Sequence, residues 1–356
     1  MFSNLVIDSF KSFSKLKIDN LSQINLFFGK NNCGKTTLLE SIFILSGISN
    51  PELPLKCNQF RDFARIKDSS LFFHNLNTDK SIIIRSQSNQ PYFDRKIEIQ
   101  LQRKNIKEIS NNKALNNAYS DTSLSEVEEL IFSGYVKTAD NETESVKTVM
   151  KLREQKNSEK IQFTLFPKYK ENINCNYFSP KLSLATIIPS VLKIFSEKQE
   201  KIVVKALQNI DSRIRDFILV ENTIMVDIGL EKRLPINLLG DGVRKFFTLV
   251  VGMFESRNGI LLVDEIDNGL HFSTMEQFWK ILLDTAHLFN VQLFATTHNI
   301  DSIKGLNQVL LNSEKEGYRE SVSAYKLIKH TDDTNSALYY DFKSFSDLIA
   351  SETEIR

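Results

Sequence analysis

Cysteine, net charge and long apolar runs are all scarce in this chain of 356 residues. Its three cysteines, Cys33, Cys57 and Cys175, show no paired spacing and no histidines at metal-ligand intervals. That excludes a disulfide framework and a Cys/His metal site, and fits a reduced, cytoplasmic protein. Basic residues number 45 and acidic residues 44, a net charge of +1. Such a balance demands no nucleic acid, while leaving room for a local basic patch. The longest apolar stretch, Phe246 to Phe254, falls far short of the ~20 residues that cross a bilayer. The opening MFSNLVIDSF lacks a charged segment followed by an apolar one, so no signal peptide is read and no membrane is expected. No internal repeat and no long heptad run occurs, which excludes long coiled-coil arms. What remains is 41% hydrophobic, enough to bury one large α/β core with a lobe or two.

Periodicity divides the chain. Leu5 to Ile7, Leu16 to Ile18 and Ile24 to Phe28 read as short strands, the last buried and ended by Gly29. Leu38, Leu39, Ile42 and Leu45 fall at helical spacing, and Gly47 stops that helix. Ser81 to Arg85, Lys96 to Leu101, Gln162 to Leu165 and Asn174 to Phe178 are further strands. Residues 104–146 are rich in Asn, Ser, Glu and Lys with little periodicity, the pattern of a solvent-facing polar insertion. A helical pattern over 183–218 predicts a separate lobe. Val243, Phe246, Phe247, Val250, Val251 and Phe254 make one helical stripe. Met275, Phe278, Trp279, Leu282, Leu283 and Ala286 make another, opened by Ser273 with Glu276 as a capping box. Between them Ile260 to Val263 is a buried strand, and Gln292 to Ala295 follows as the next. The last fifty residues read as two strands and a short helix. The expected division is 1–180 for the first part of the core, 181–233 for the helical lobe and 234–356 for the rest of the core.

Gly29-Lys30-Asn31-Asn32-Cys33-Gly34-Lys35-Thr36 satisfies G-x-x-x-x-G-K-[ST]. Glycines let the backbone wrap a phosphate chain with its N–H groups inward, and the positive end of the following helix faces the same anion. In this pattern Lys35 reaches the β- and γ-phosphates and the Thr36 hydroxyl ligates Mg²⁺, with Thr37 next in the cradle. A strand before the loop and an amphipathic helix after it supply the context the motif requires. Downstream, Ile260-Leu261-Leu262-Val263 runs into Asp264-Glu265. At a strand end the first carboxylate can hold Mg²⁺ and the second can polarise the attacking water.

Four pieces in this order resemble the heads of ABC-type ATPases: the loop at 29–36, Leu239-Gly240-Asp241-Gly242-Val243-Arg244, the acidic pair, and Thr296-Thr297-His298. Within that class the chain resembles the OLD-like and RecF/SMC-like group. It shares the opening Phe10-Lys11-Ser12-Phe13, the Asn31-Asn32 pair, Asp264-Glu265-Ile266-Asp267-Asn268-Gly269-Leu270-His271 and the TTH ending. The resemblance covers residues 1–48 and 234–305 well and the middle loosely. It implies an α/β P-loop NTPase fold with an ABC-type head: a mixed-sheet core, an antiparallel β part and a helical lobe. It also implies ATP and Mg²⁺ as cofactors and Glu265, His298 and Lys35 as catalytic residues. Gly240, Asp241 and Gly242 would be the signature segment facing a nucleotide on another head, although Gly-Asp-Gly is by itself also a turn and helix start. That segment departs from the transporter form LSGGQ: no serine hydroxyl is present, so backbone N–H groups must serve. His298 would sense the γ-phosphate, and Asp267 to Gly269, with Asn268, would meet the partner head. The glutamine that links the nucleotide to the lobe is not evident; Gln59 is one candidate and the junction near Ser179, which has no glutamine, is another. Lys11 and Ser12 are either nucleotide neighbours or surface residues.

These features imply an ATP-hydrolysing protein that forms nucleotide-sandwiched dimers or higher even oligomers. An OLD-like regulator of antiviral defence is the first expectation. The chain ends soon after the head's last elements, so its nuclease or toxin effector is expected on a separate protein. The second is a RecF-like DNA-repair ATPase, with DNA as partner. A transporter subunit is disfavoured by the poor signature and the long central insertion, and a binding-only switch by the intact Glu265.

Overall fold

A computed structural model describes residues 1–61, 68–88, 94–105, 126–137, 143–155, 158–166, 171, 173–180, 183–315 and 317–351. The chain opens with strands β1 (Leu5–Phe10), β2 (Phe13–Ile18) and β3 (Ile24–Phe28), followed by helices α1 (Lys35–Ser46) and α2 (Leu53–Phe60). Five strands come next: β4 (Ile82–Ser86), β5 (Asp94–Asn105), β6 (Glu126–Lys137), β7 (Thr143–Gln155) and β8 (Ser158–Phe166). Strand β9 (Cys175–Phe178) leads to α3 (Leu184–Ser196), α4 (Glu200–Gln208), β10 (Asp216–Val220), β11 (Thr223–Asp227) and β12 (Leu234–Pro235). Then come α5 (Asp241–Glu255), β13 (Ile260–Val263), α6 (Met275–Leu288), β14 (Gln292–Thr297) and α7 (Ile300–Asn312). The described chain closes with β15 (Val322–Lys329), β16 (Asn335–Tyr340) and α8 (Phe342–Ala350).

A six-stranded sheet in the order β16-β15-β3-β14-β13-β9 forms the centre. All neighbours pair in parallel except the edge strand β16. Both faces of this sheet are covered, so its central strands β3, β13 and β14 are buried along their whole length. In β3, Ile24, Leu26 and Phe28 enter one core with α5, α6 and α7. Phe27 enters the other, stacked on Tyr325 at 5.0 Å, beside α1 and the second sheet. That second sheet is antiparallel, in the order β2-β1-β4-β5-β6-β7-β8. Helix α1 lies between the two sheets, and every residue from Thr37 to Ser46 is buried. A small antiparallel sheet, β10-β11-β12, packs with α3 and α4.

Several local expectations change. The described parts of 104–146 are sheet, not a polar insertion; residues 106–125 and 138–142 lie outside the described residues. In β6, Leu130, Phe132 and Val136 point to the core while Ser133 and Tyr135 face outward. One covered face leaves half the strand polar, which dilutes the apolar signal. The lobe is not helical to residue 218. Helix α3 is capped by the Ser183 side chain, α4 ends at Gln208, and the chain then turns into strands. The β10–β11 hairpin turns at Glu221 and Asn222, both at positive φ (53° and 91°), the conformation of a type I′ turn. The capping box at Ser273 does not form: the His271 side chain caps a short 3₁₀ turn over Phe272–Thr274 instead, ahead of α6.

Candidate active site

Strands β3, β13 and β14 run parallel, so their carboxyl ends open on one edge of the sheet, where open α/β sheets bind ligands. The loop after β3 is shaped by Gly29 (φ 147°), Asn32 (φ 62°) and Gly34 (φ 99°). A Cβ on Gly29 would lie 2.5 Å from the Leu327 carbonyl oxygen, and one on Gly34 would lie 2.5 Å from the Phe13 ring. Asn31 and Asn32 are exposed, and Cys33 is buried beneath them with its carbonyl accepting from Asn335 Nδ2 at 3.3 Å. Burial pushes the Cys33 thiol up, against the nearby Lys35 charge. Lys35 Nζ donates to the carbonyls of Gly29 (2.8 Å) and Lys30 (2.9 Å), which holds the cation in the loop.

The acidic pair is tied to this loop. Asp264 is 6% exposed, and its Oδ2 accepts from Thr36 Oγ1 at 2.8 Å. Its Oδ1 accepts from Thr296 Oγ1 at 2.5 Å. The same Thr296 hydroxyl accepts from Glu265 N at 2.9 Å. One hydroxyl thus fixes both carboxylate residues, and Glu265 is held at φ 49°. His298 stands exposed at the end of β14, next to Thr297. Asp267, buried, has its carboxyl raised by desolvation, while bonds from Thr297 and Asn299 and the His298 charge oppose that. Half-buried Lys245 faces Asp267, Glu265 and Asp264; burial lowers its ammonium and the carboxylates resist.

The remaining predicted residues lie elsewhere on the head. Gly240 (φ 93°) turns the chain into α5, and Asp241 pairs with Arg244 at 2.9 Å. Asp241, Asn268 and Gly269 line a cavity of about 520 Å³ between α3, α5 and the loop after β13; no phosphate-loop residue lines it. Ser179, not glutamine, follows the strand beside β13 and lines the same cavity, while Gln59 is exposed on α2. Lys11 is tied to α1 and α2. Its Nζ binds Glu40 at 3.0 Å and Asn58 at 3.2 Å.

Two groups were given no role of their own in the sequence. Thr296 sits in the TTH ending, which could have pointed to it. Arg61 carried no motif: it grips Glu40 through Nε (2.7 Å) and Nη2 (2.9 Å) and donates from Nη2 to Thr37 Oγ1 at 3.3 Å.

The donor set suits a small hard cation. Asp264 and Thr36 offer two oxygens 2.8 Å apart at the end of the phosphate loop. Among the described residues no cluster of three or more His, Cys, Asp or Glu could cage a metal. Mg²⁺ needs no such cage, since it takes one or two protein oxygens and keeps its phosphates and waters.

Fold and family together define a P-loop ATPase with a head of the ABC/SMC type. The chain belongs to the family described as "AAA domain, putative AbiEii toxin, Type IV TA system", whose model matches residues 24–303 and so spans all four motifs. A Helicobacter pylori protein named "ATP/GTP phosphatase" is 26% identical over 350 residues, covering 87% of this chain and 88% of the relative. An SMC head solved with the C-terminal winged-helix domain of ScpA matches with a TM-score of 0.50 at 12% identity, over 96% of this chain and 98% of that one. The SMC head domain from Thermotoga maritima matches with a TM-score of 0.44 at 10% identity, over 96% and 99%. At 12% identity the first of these speaks to the fold alone. Among the described residues no helix is long and apolar enough to cross a membrane.

Proposed function

We propose that this ATPase is a switch: two copies close over two nucleotides and, in doing so, control a separate effector, a nuclease or toxin, in antiviral defence. The observation that carries the turnover half is the chain Thr36–Asp264–Thr296–Glu265, which couples the phosphate loop to both carboxylates. Gly29, Asn31, Asn32, Cys33, Gly34 and Thr37 line the phosphates, and Lys35 neutralises the β- and γ-phosphates. Thr36 and Asp264 hold Mg²⁺, which when bound offsets phosphate charge. Glu265 polarises the attacking water, and His298 contacts the γ-phosphate. Gly240, Asp241, Gly242 and Asn268 face the nucleotide of the partner copy. Two observations support a closing surface. Gly240 and Gly269 sit at positive φ with open space around them. Large apolar side chains beside them, Leu238 and Phe272, are 69% and 64% exposed. The toxin and toxin–antitoxin terms in the family description support the defence role.

Lys35→Ala should abolish nucleotide binding or turnover, and unchanged activity would overturn the site. Glu265→Gln should retain ATP and accumulate as a dimer; a variant that binds ATP yet stays monomeric at every concentration sinks the sandwich. Affinity capture with Glu265→Gln, with and without Mg·ATP, should bring down an effector with a nuclease or toxin fold.

One observation favours a RecF-like reading as the alternative. Lys17, Arg85, Lys96 and the exposed Tyr135 fall in one register row across the outer face of the antiparallel sheet. DNA binding that weakens steeply with salt, and that fails in Lys17→Ala/Arg85→Ala, would favour it.

A further inference from the structure

The edge strand β9 brings a second polar group to the α1 side of Asp264. Tyr177 pairs in register with Leu262 of β13, and Asp264, just beyond that strand, donates its backbone N–H to the Phe178 carbonyl at 2.9 Å. Tyr177 packs on the α1 side of the sheet, the side from which Thr36 reaches Asp264. The ring is clamped. It stacks on Phe60 at 4.6 Å with 5° between the planes and meets Phe43 edge-on at 5.8 Å. Its hydroxyl is buried, with the residue only 7% exposed, and has no hydrogen-bond partner among the described residues. For packing alone phenylalanine would serve better, because an unpaired buried hydroxyl destabilises a fold. The hydroxyl shares its surroundings with charged groups: after burial, Asp264 and Glu40 push the phenol up, and Arg61 opposes them. Ser179, just after β9, is short and lines the neighbouring cavity.

We propose that Tyr177 is a positioning residue for ATP hydrolysis: when Mg·nucleotide binds, its hydroxyl, unpartnered among the described residues, donates to Asp264, directly or through one water, and holds that carboxylate in the orientation that accepts Mg²⁺. Asp264 can take the extra donor, since a carboxylate has about four lone-pair sites and Thr36 and Thr296 use two. The phenol stays protonated throughout and supplies no proton to the reaction. This assignment rests on the ATPase reading above.

Tyr177→Phe keeps both ring contacts and removes only the hydroxyl. The nucleotide-free variant should melt at the wild-type temperature or higher, since it loses an unpaired group. With a fluorescent ATP analogue, the Mg²⁺ concentration at the binding midpoint should rise about tenfold, the equivalent of ~1.4 kcal/mol. At a fixed subsaturating Mg²⁺ level kcat should fall several-fold, while KM at saturating Mg²⁺ stays within about twofold. A midpoint and kcat equal to wild type would show that Tyr177 only packs. The two readings fail differently. If wild type binds Mg·ATP but releases no phosphate, hydrolysis is lost as a conclusion while the Mg²⁺ midpoint still judges Tyr177. If wild type binds no nucleotide, both fall.

Discussion

Replacing Glu40 with glutamine removes one charge from a buried site and leaves two cations facing an amide. The Glu40 side chain is 0% exposed and accepts from Lys11 Nζ at 3.0 Å and from Arg61 at 2.7 and 2.9 Å. Removing one partner of a buried ion pair costs about 3–5 kcal/mol, because the survivors stay unpaired. Arg61 is 37% exposed and can turn its charge to solvent, whereas Lys11, at 11%, cannot. The lower end, about 3 kcal/mol, is therefore expected. At about 1.3 °C per kcal/mol for a chain of this size, the melting midpoint should fall by about 4 °C. Thermal unfolding followed by circular dichroism measures this directly. Changing Glu40, Lys11 and Arg61 together to methionine should recover most of the loss, since no charge is then left unpaired. A Glu40→Gln midpoint within about 1 °C of wild type refutes the view that the three side chains form one buried unit.

Gly34→Ala places a Cβ 2.5 Å from the Phe13 ring at φ 99°, so nucleotide binding should be lost; equilibrium binding of a labelled ATP analogue tests it, and wild-type affinity would overturn the loop geometry. Thr296→Val removes the hydroxyl that serves both Asp264 and Glu265, and kcat should drop at least about tenfold with KM little changed, the loss of two bonds near 1 kcal/mol each. Steady-state kinetics decide it, and a kcat within about twofold of wild type would show Glu265 to be held by other means. Burial lowers the His287 imidazole below its ordinary 6.5; Lys315 adds to the effect and Asp284 opposes it. The unfolded chain then takes the proton before the folded one does. Stability present above pH ~6.5 is lost as pH falls through the folded value, and His287→Gln should lose less than wild type between pH ~7.5 and ~5.5. Equal losses in parallel melts would remove His287 from the cause.

The P-loop, the acidic pair and the buried strands around them were legible because each carries a local pattern. Gly29 to Thr36 is a motif, and Ile260 to Val263 has no polar residue to hide its burial. The antiparallel sheet was not legible in the same way. Strand β6 covers one face only, so its apolar residues alternate with Ser133 and Tyr135, and the stretch looks polar by composition. The lobe misled through amphipathic spacing: Ile214 and Phe217 continue the apolar pattern of α4 while the backbone turns into a hairpin. Lys11 shows a different limit. A cation near the phosphate loop in sequence is bound by Glu40, an acid buried on the helix that follows the loop, and composition carries no trace of that pairing. Arg61 and Tyr177 became visible only once packing brought α2 and β9 against α1.

The placement of β3 at the centre of the parallel sheet bears on how the protein is made. Residues 24–28 leave the ribosome long before their neighbours in the sheet, residues 292–297 and 322–329. At roughly 5–20 residues per second, those partners emerge about 15–60 s later. Throughout that interval the strand carrying the phosphate loop has no sheet to join, and its apolar edges need shelter from other chains. A nascent chain therefore cannot cycle nucleotide. The enzyme switches on only after β14 and β15 have been made, and a message truncated before β14 yields a polypeptide bearing the loop sequence without the activity.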